Sequence, residues 1–122
     1  MVNYKLTSSK VSIPVYIGTL YIHSGSIEEL EENYPLDNLK NYNAYSFSGQ
    51  SKEDGPIEYH IAFRSNASPG TVTHECFHFV CNMFNDRGVK FDYDNNEPFA
   101  YMMGWAVETC TKTLKKLNND RT

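Results

Sequence analysis

The most regular stretch of the chain alternates apolar and polar residues. In Ile57-Glu58-Tyr59-His60-Ile61-Ala62-Phe63-Arg64, Ile57, Tyr59, Ile61 and Phe63 share one side, and Glu58, His60, Ala62 and Arg64 share the other. That is the period of a strand with one covered face. Asn43 to Ser48 alternates in the same way, and Gly49 to Pro56, with Asp54-Gly55 inside it, reads as a turn. The two strands are therefore expected to form a hairpin, its apolar face covered by helices. Upstream, Val11 to Ile17 reads as strand and continues as far as Ile22 after a bend at Gly18. Pro14 has no amide hydrogen to give a ladder, so this part is expected at an edge or as a lead-in. Ser26-Ile27-Glu28-Glu29-Leu30-Glu31-Glu32 reads as a short helix, capped by Ser26 and stopped by Pro35.

Beyond residue 66 the period lengthens to that of helices. Ser68 as cap, Pro69 at the first helical position and Gly88 as terminator bracket a helix with Val72, Cys76, Phe79, Val80 and Met83 on its apolar side. Val89 to Asp94 is a loop. From about Asn95 to Leu117, the residues Phe99, Met103, Ala106, Cys110, Leu114 and Leu117 recur at spacings of three and four, the stripe of a second amphipathic helix. Asn118 to Thr122 reads as a frayed tail. The 122 residues make one domain, 1–122, with residues 1–66 mainly strands plus one short helix and 67–117 two helices. The fold class is α+β: a small antiparallel or mixed β-sheet packed on the two helices.

Composition narrows the function classes. A net charge of −4 without any basic block argues against a nucleic-acid partner. Apolar runs are too short for a membrane span, and Met1 to Thr7 lacks the apolar core of a secretion signal, so a cytoplasmic location is expected. Three cysteines, Cys76, Cys81 and Cys110, cannot all pair within one chain. Their apolar helical neighbours suit buried free thiols in a reducing compartment.

The chemistry concentrates in His74-Glu75-Cys76-Phe77-His78 on the first of these helices. Histidines four positions apart project to one side of a helix and can grip a single zinc ion. Glu75 should not bind the metal; it can reach a metal-bound water and serve as general base. The favoured third ligand is Glu97, nineteen positions after His78, at the first helical turn that Pro98 marks. Asp92 and Asp94 are the competitors. Cys81 lies a further turn away and reads as a packing residue. For Glu97 to arrive, the second helix has to cross so that its beginning meets the middle of the first. The oxyanion of the transition state also needs a donor. Tyr101, one turn beyond Glu97, and His60, on the polar face of the preceding strand, are candidates, with Arg64 and Tyr93 behind them. His23 reads as unrelated.

Thr71 to His78, followed by Asn96-Glu97-Pro98-Phe99-Ala100-Tyr101, resembles the zincin metallopeptidases whose third ligand is a downstream glutamate, the group that includes thermolysin. In compactness, Pro69-Gly70-Thr71 through Trp105 is similar to a minimal zincin pattern found in small phage- and prophage-encoded proteins. The resemblance implies a minimal zincin-like fold, with His74, His78 and Glu97 as zinc ligands and Glu75 as base. It also implies that the strand holding His60 to Arg64 borders the cleft, where an extended peptide adds as another strand. Two features depart from the larger family. Tyr101 stands where the thermolysin group has an aspartate, and no second domain walls the cleft.

The function these residues imply is zinc-dependent hydrolysis of peptide or amide bonds in a peptide or protein substrate. Two alternatives accompany it: a regulatory protease acting on a repressor, and a non-catalytic zinc-stabilised binding or virion-associated protein. Oligomeric state and cleavage specificity are not written in the pattern.

Overall fold

The computed structural model describes residues 7–26, 28–29, 44–50 and 57–120. Among these residues lie four strands, β1 (Thr7–Ser12), β2 (Thr19–Gly25), β3 (Ala44–Gln50) and β4 (Ile57–Arg64), followed by α1 (Pro69–Asp86) and α2 (Glu97–Asp120). The class is α+β, and the sheet is mixed. Its order is β1-β2-β4-β3, with β1/β2 and β3/β4 antiparallel and β2/β4 parallel. The expected β3–β4 hairpin forms, pairing Ala44 with Phe63 and Gln50 with Ile57. β4, however, is paired along both sides. The strand that the resemblance placed at the rim of a cleft therefore has no ladder edge left for an added peptide, and β1 and β3 are the outer strands.

The first hairpin differs from the expected single bent strand. The chain turns over between Ser12 and Thr19, where Ile13 N donates to Gly18 O at 3.2 Å and Tyr16 N donates to Pro14 O at 2.7 Å. Pro14 thus sits in the turn, and Val15 takes a φ of 67°, in the left-handed region that a β-branched side chain disfavours. β1 itself, Thr-Ser-Ser-Lys-Val-Ser, has too little apolar content to announce a strand; its pairing with β2 makes it one. In the short helix expected at 26–32, Glu28 and Glu29 are helical. Ser26 Oγ accepts from Glu29 N at 3.2 Å while Ser26 N donates to Glu29 Oε1 at 3.3 Å, a reciprocal cap. The remainder of that helix and the turn at 51–56 lie outside the described residues.

Both helices pack on one sheet face. Alternation puts Leu20, Ile22, Tyr59, Ile61 and Phe63 there, all buried against Cys76, Val80, Met83, Met102, Ala106 and Cys110. Tyr59 meets Phe79 edge to face at 5.4 Å and donates its hydroxyl to Asp86 Oδ2 at 2.6 Å, tying the end of α1 to β4. Burial first, then that carboxylate, hold the Tyr59 phenol well above its ordinary range. Cys76 and Cys110 are buried, as expected, whereas Cys81 is only half-buried. A hydrogen bond to Cys76, and then burial, raise the Cys110 thiol and keep it protonated.

The helix ends follow their residues. Ser68 Oγ accepts from Thr71 N, with Pro69 next to it in the first turn. At the other end Gly88 has a φ of 71°, Gly88 N donates to Asn85 O at 3.1 Å and Val89 N donates to Phe84 O at 2.8 Å. That paired pattern is a Schellman stop, available to glycine because no Cβ resists the positive φ. α2 starts at Glu97 and continues through Asp120, so Asn118 and Asn119 are helical, not a loose tail. Asn118 Oδ1 accepts from Ser24 Oγ at 2.7 Å and its Nδ2 donates to Ser65 O at 2.7 Å. No described helix is long and apolar enough to cross a membrane.

Candidate metal centre

On α1 the core side is centred on Cys76. His74 and His78, two positions to either side, lie about 160° around the helix from it, on the outward surface. Their Nε2 atoms converge to 3.1 Å, and the His74 side chain is 67% exposed. Two imidazoles bound to one zinc at tetrahedral angles would hold their nitrogens about 3.3 Å apart, so the pair fits such an ion with little adjustment. The spacing of four positions along one helix accounts for the approach of the two rings.

Glu75 occupies a flank of α1, about 100° from Cys76, while Phe77 occupies the opposite flank. The Glu75 side chain is 11% exposed, and its Oε1 lies 3.9 Å from His74 Nε2. A nearly buried carboxylate beside the imidazole pair is positioned to exchange a proton with a molecule held at the histidines.

The start of α2 does pack on α1, but not so as to bring Glu97 to the histidines. Phe99, in its first turn, packs at 5.7 Å from Phe77 and 5.8 Å from Phe84, so the start of α2 meets α1 between its middle and its C-terminal end. Glu97 precedes Ala106, on the core stripe, by nine residues, which is two and a half turns, so it points outward from α2. The histidines and Glu97 therefore share the outer surface of the helical layer. Among the described residues, no group of three or more His, Cys, Asp or Glu stands close enough to hold a metal. Two donors are gathered; Glu97 is exposed and is not brought to them. Asp92 accepts from Asp94 N through Oδ1 at 2.9 Å, an Asx turn within the connecting loop. Tyr101 lies one turn beyond Glu97 and is 59% exposed. Tyr93 is exposed in the loop.

His60 is placed elsewhere. Tyr59 faces α1, so its neighbour His60 faces the opposite side of the sheet, as does Arg64. There His23 Nε2 and His60 Nδ1 lie 3.0 Å apart, His23 Nδ1 and Ser8 Oγ lie 2.6 Å apart, and the Tyr21 ring stacks on His60 at 4.7 Å. Burial and then the neighbouring His60 lower the His23 pKa to about 4. Burial also lowers that of His60, against an opposing pull from Glu58. His60 is thus a partner of His23 and not an oxyanion donor at the histidine pair. The parallel register, which pairs Tyr21 with His60 and His23 with Ala62, creates this network. Its only trace in the sequence is that both histidines fall on the polar phase of their strands.

Among the described residues the fold is α+β, one mixed sheet with α1 and α2 on one face, and the His74–His78 pair lies on the outer helical surface. No protein-family model, curated protein or solved structure matches the chain.

Proposed function

We propose that the chain is a zinc-dependent peptidase or amidase, in which His74, His78 and Glu97 hold the metal and Glu75 is the general base. The observation that carries this is the 3.1 Å approach of the two Nε2 atoms with the Glu75 carboxylate 3.9 Å from His74. Bound zinc supplies a Lewis acid that acidifies water at neutral pH and polarises a carbonyl. Glu75 takes the proton from the attacking water on a carboxylate oxygen and returns it to the departing amine nitrogen. Its near burial keeps bulk water from competing for that proton. Glu97, not gathered with the histidines in this arrangement, would have to swing toward them from the outer face of α2 to complete the ligand set, and Tyr101, on the same side, would donate to the oxyanion.

Glu75→Gln retains one zinc per chain and lowers hydrolysis of a broad peptide library by about two to four orders of magnitude. His74→Ala and His78→Ala lose the metal. Glu97→Ala weakens zinc binding far more than Asp92→Ala or Asp94→Ala; the reverse order reassigns the third ligand. A non-catalytic zinc-binding protein is the second reading, favoured by the gathering of only two donors among the described residues. Zinc uptake by the parent protein without any turnover on that library selects it.

A further inference from the structure

The exposed large apolar residues are not scattered. Phe77, Val89, Phe91, Tyr93 and Tyr101 all fall between the middle of α1 and the first turns of α2. Val15 and Ile17 join them, because Tyr16 packs edge to face on Phe84 at 5.3 Å and carries the β1–β2 turn to the end of α1. In the middle of this surface is a cleft of about 350 Å³, lined by Cys81, Phe84, Val89, Lys90, Phe91 and Phe99 among others. The Schellman stop builds it, since the turn at Gly88 folds Val89 back over Phe84.

Three features decide what it takes. Its size is at the lower end of the roughly 300–1,000 Å³ typical of ligand pockets, enough for one or two side chains. Its walls are aromatic and continuous with the metal centre, through Phe99 against Phe77 and Phe77 against His78 at 6.3 Å. Its charge is that of Lys90, which makes no ion pair among the described residues, while neither Asp92 nor Asp94 lines the cleft. We infer that the cleft receives the C-terminal residue of a peptide, with a large apolar side chain between Phe84, Phe91 and Phe99 and its carboxylate at Lys90. Cys81 and Phe84 follow His78 by three and six positions, about 4.5 and 9 Å along the helix. An extended peptide advances about 3.3 Å per residue, so the bond presented to the histidines lies one to three residues upstream. The inference rests on the peptidase reading and deepens it by naming the substrate as a free peptide C-terminus ending in an apolar residue.

Peptide binding to the Glu75→Gln protein, followed by amide chemical shifts, tests the inference without turnover. N-acetyl-Ala-Ala-Phe with a free carboxylate shifts Gly88, Val89 and Phe91 and binds about tenfold more tightly than N-acetyl-Ala-Ala-Ala. Amidation of its C-terminus weakens binding about threefold, and Lys90→Gln abolishes that difference. Phe91→Ala, at a side chain exposed enough to leave the fold intact, weakens the phenylalanine peptide about fivefold. Equal binding of the phenylalanine and alanine peptides overturns the cleft as an apolar subsite, and equal binding of acid and amide overturns the C-terminal assignment. If the expected binding appears but the zinc-loaded parent cleaves nothing, the peptidase reading falls while the cleft stands.

Discussion

At His23, burial and a second imidazole act in the same direction. Both disfavour a charged ring, so the pKa falls from 6.5 to about 4. The unfolded chain therefore binds more protons than the folded one between those values. Stability from this group is complete above about pH 6.5 and is lost as pH falls toward 4, a difference of about 3 kcal/mol. Urea unfolding at a series of pH values from 7 to 4 should show that decline, and His23→Gln should flatten it. His60, also lowered, contributes to the slope that is left. An undiminished slope in His23→Gln would place the titration at another group. The contrast with His74 and His78 shows what a sequence can disclose at this scale. Their meeting follows from four positions on one helix, a local distance. The meeting of His23 with His60 depends on which strands become neighbours, which no local pattern encodes, so the polar phase of β4 alone points His60 toward the wrong partners.

Among the elements, α1 was legible at both ends because its punctuation is local: Ser68, Pro69 and Gly88 act within a turn of themselves. The end of α2 was not. Its apolar stripe finishes at Leu117, and Asn118 beyond it looks like solvent-facing tail. The partners that hold Asn118, Ser24 and Ser65, are 94 and 53 residues away. Asn118→Ala removes both the acceptor of the Ser24 hydroxyl bond and the donor to the Ser65 carbonyl, and should cost about 1–3 kcal/mol in chemical denaturation. Amide exchange in the last turn of α2 should rise with it. If that turn exchanges unchanged, the stop of α2 is held by other contacts. β1 escaped notice for a similar reason, since its strand character comes from β2 and not from its own residues.

For the molecule as a whole, the helices lie side by side on one sheet face, and the proposed ligands occupy their common outer surface. A metal held by His74 and His78 alone would touch only α1, whereas one held also by Glu97 would join α1 to α2. With a third ligand from α2, zinc at a hundredfold excess over its Kd should stabilise by about 3 kcal/mol, a rise of roughly 10 °C in Tm. Glu97→Ala should move that rise to much higher zinc concentrations. A melting curve for this variant that coincides with the parent's at every zinc level would make Glu97 a bystander. The α+β class and the two-helix arrangement were legible from periodicity. The carboxylate's distance from the imidazoles was not, because it depends on where Phe99 seats against Phe77.

The parallel contact of β2 with β4 carries a consequence for how the polypeptide assembles. Thr19 pairs with Glu58 and Gly25 with Arg64, so each rung joins positions 39 apart. Closing so long a segment is entropically costlier than closing either two-stranded ribbon, and non-local pairing slows folding. During synthesis, the N-terminal ribbon must wait for residue 64 to clear the ribosome, with Leu20 and Ile22 uncovered and one row of amides and carbonyls unsatisfied. That interval is when a nascent chain of this design is most open to aggregation and to capture by chaperones.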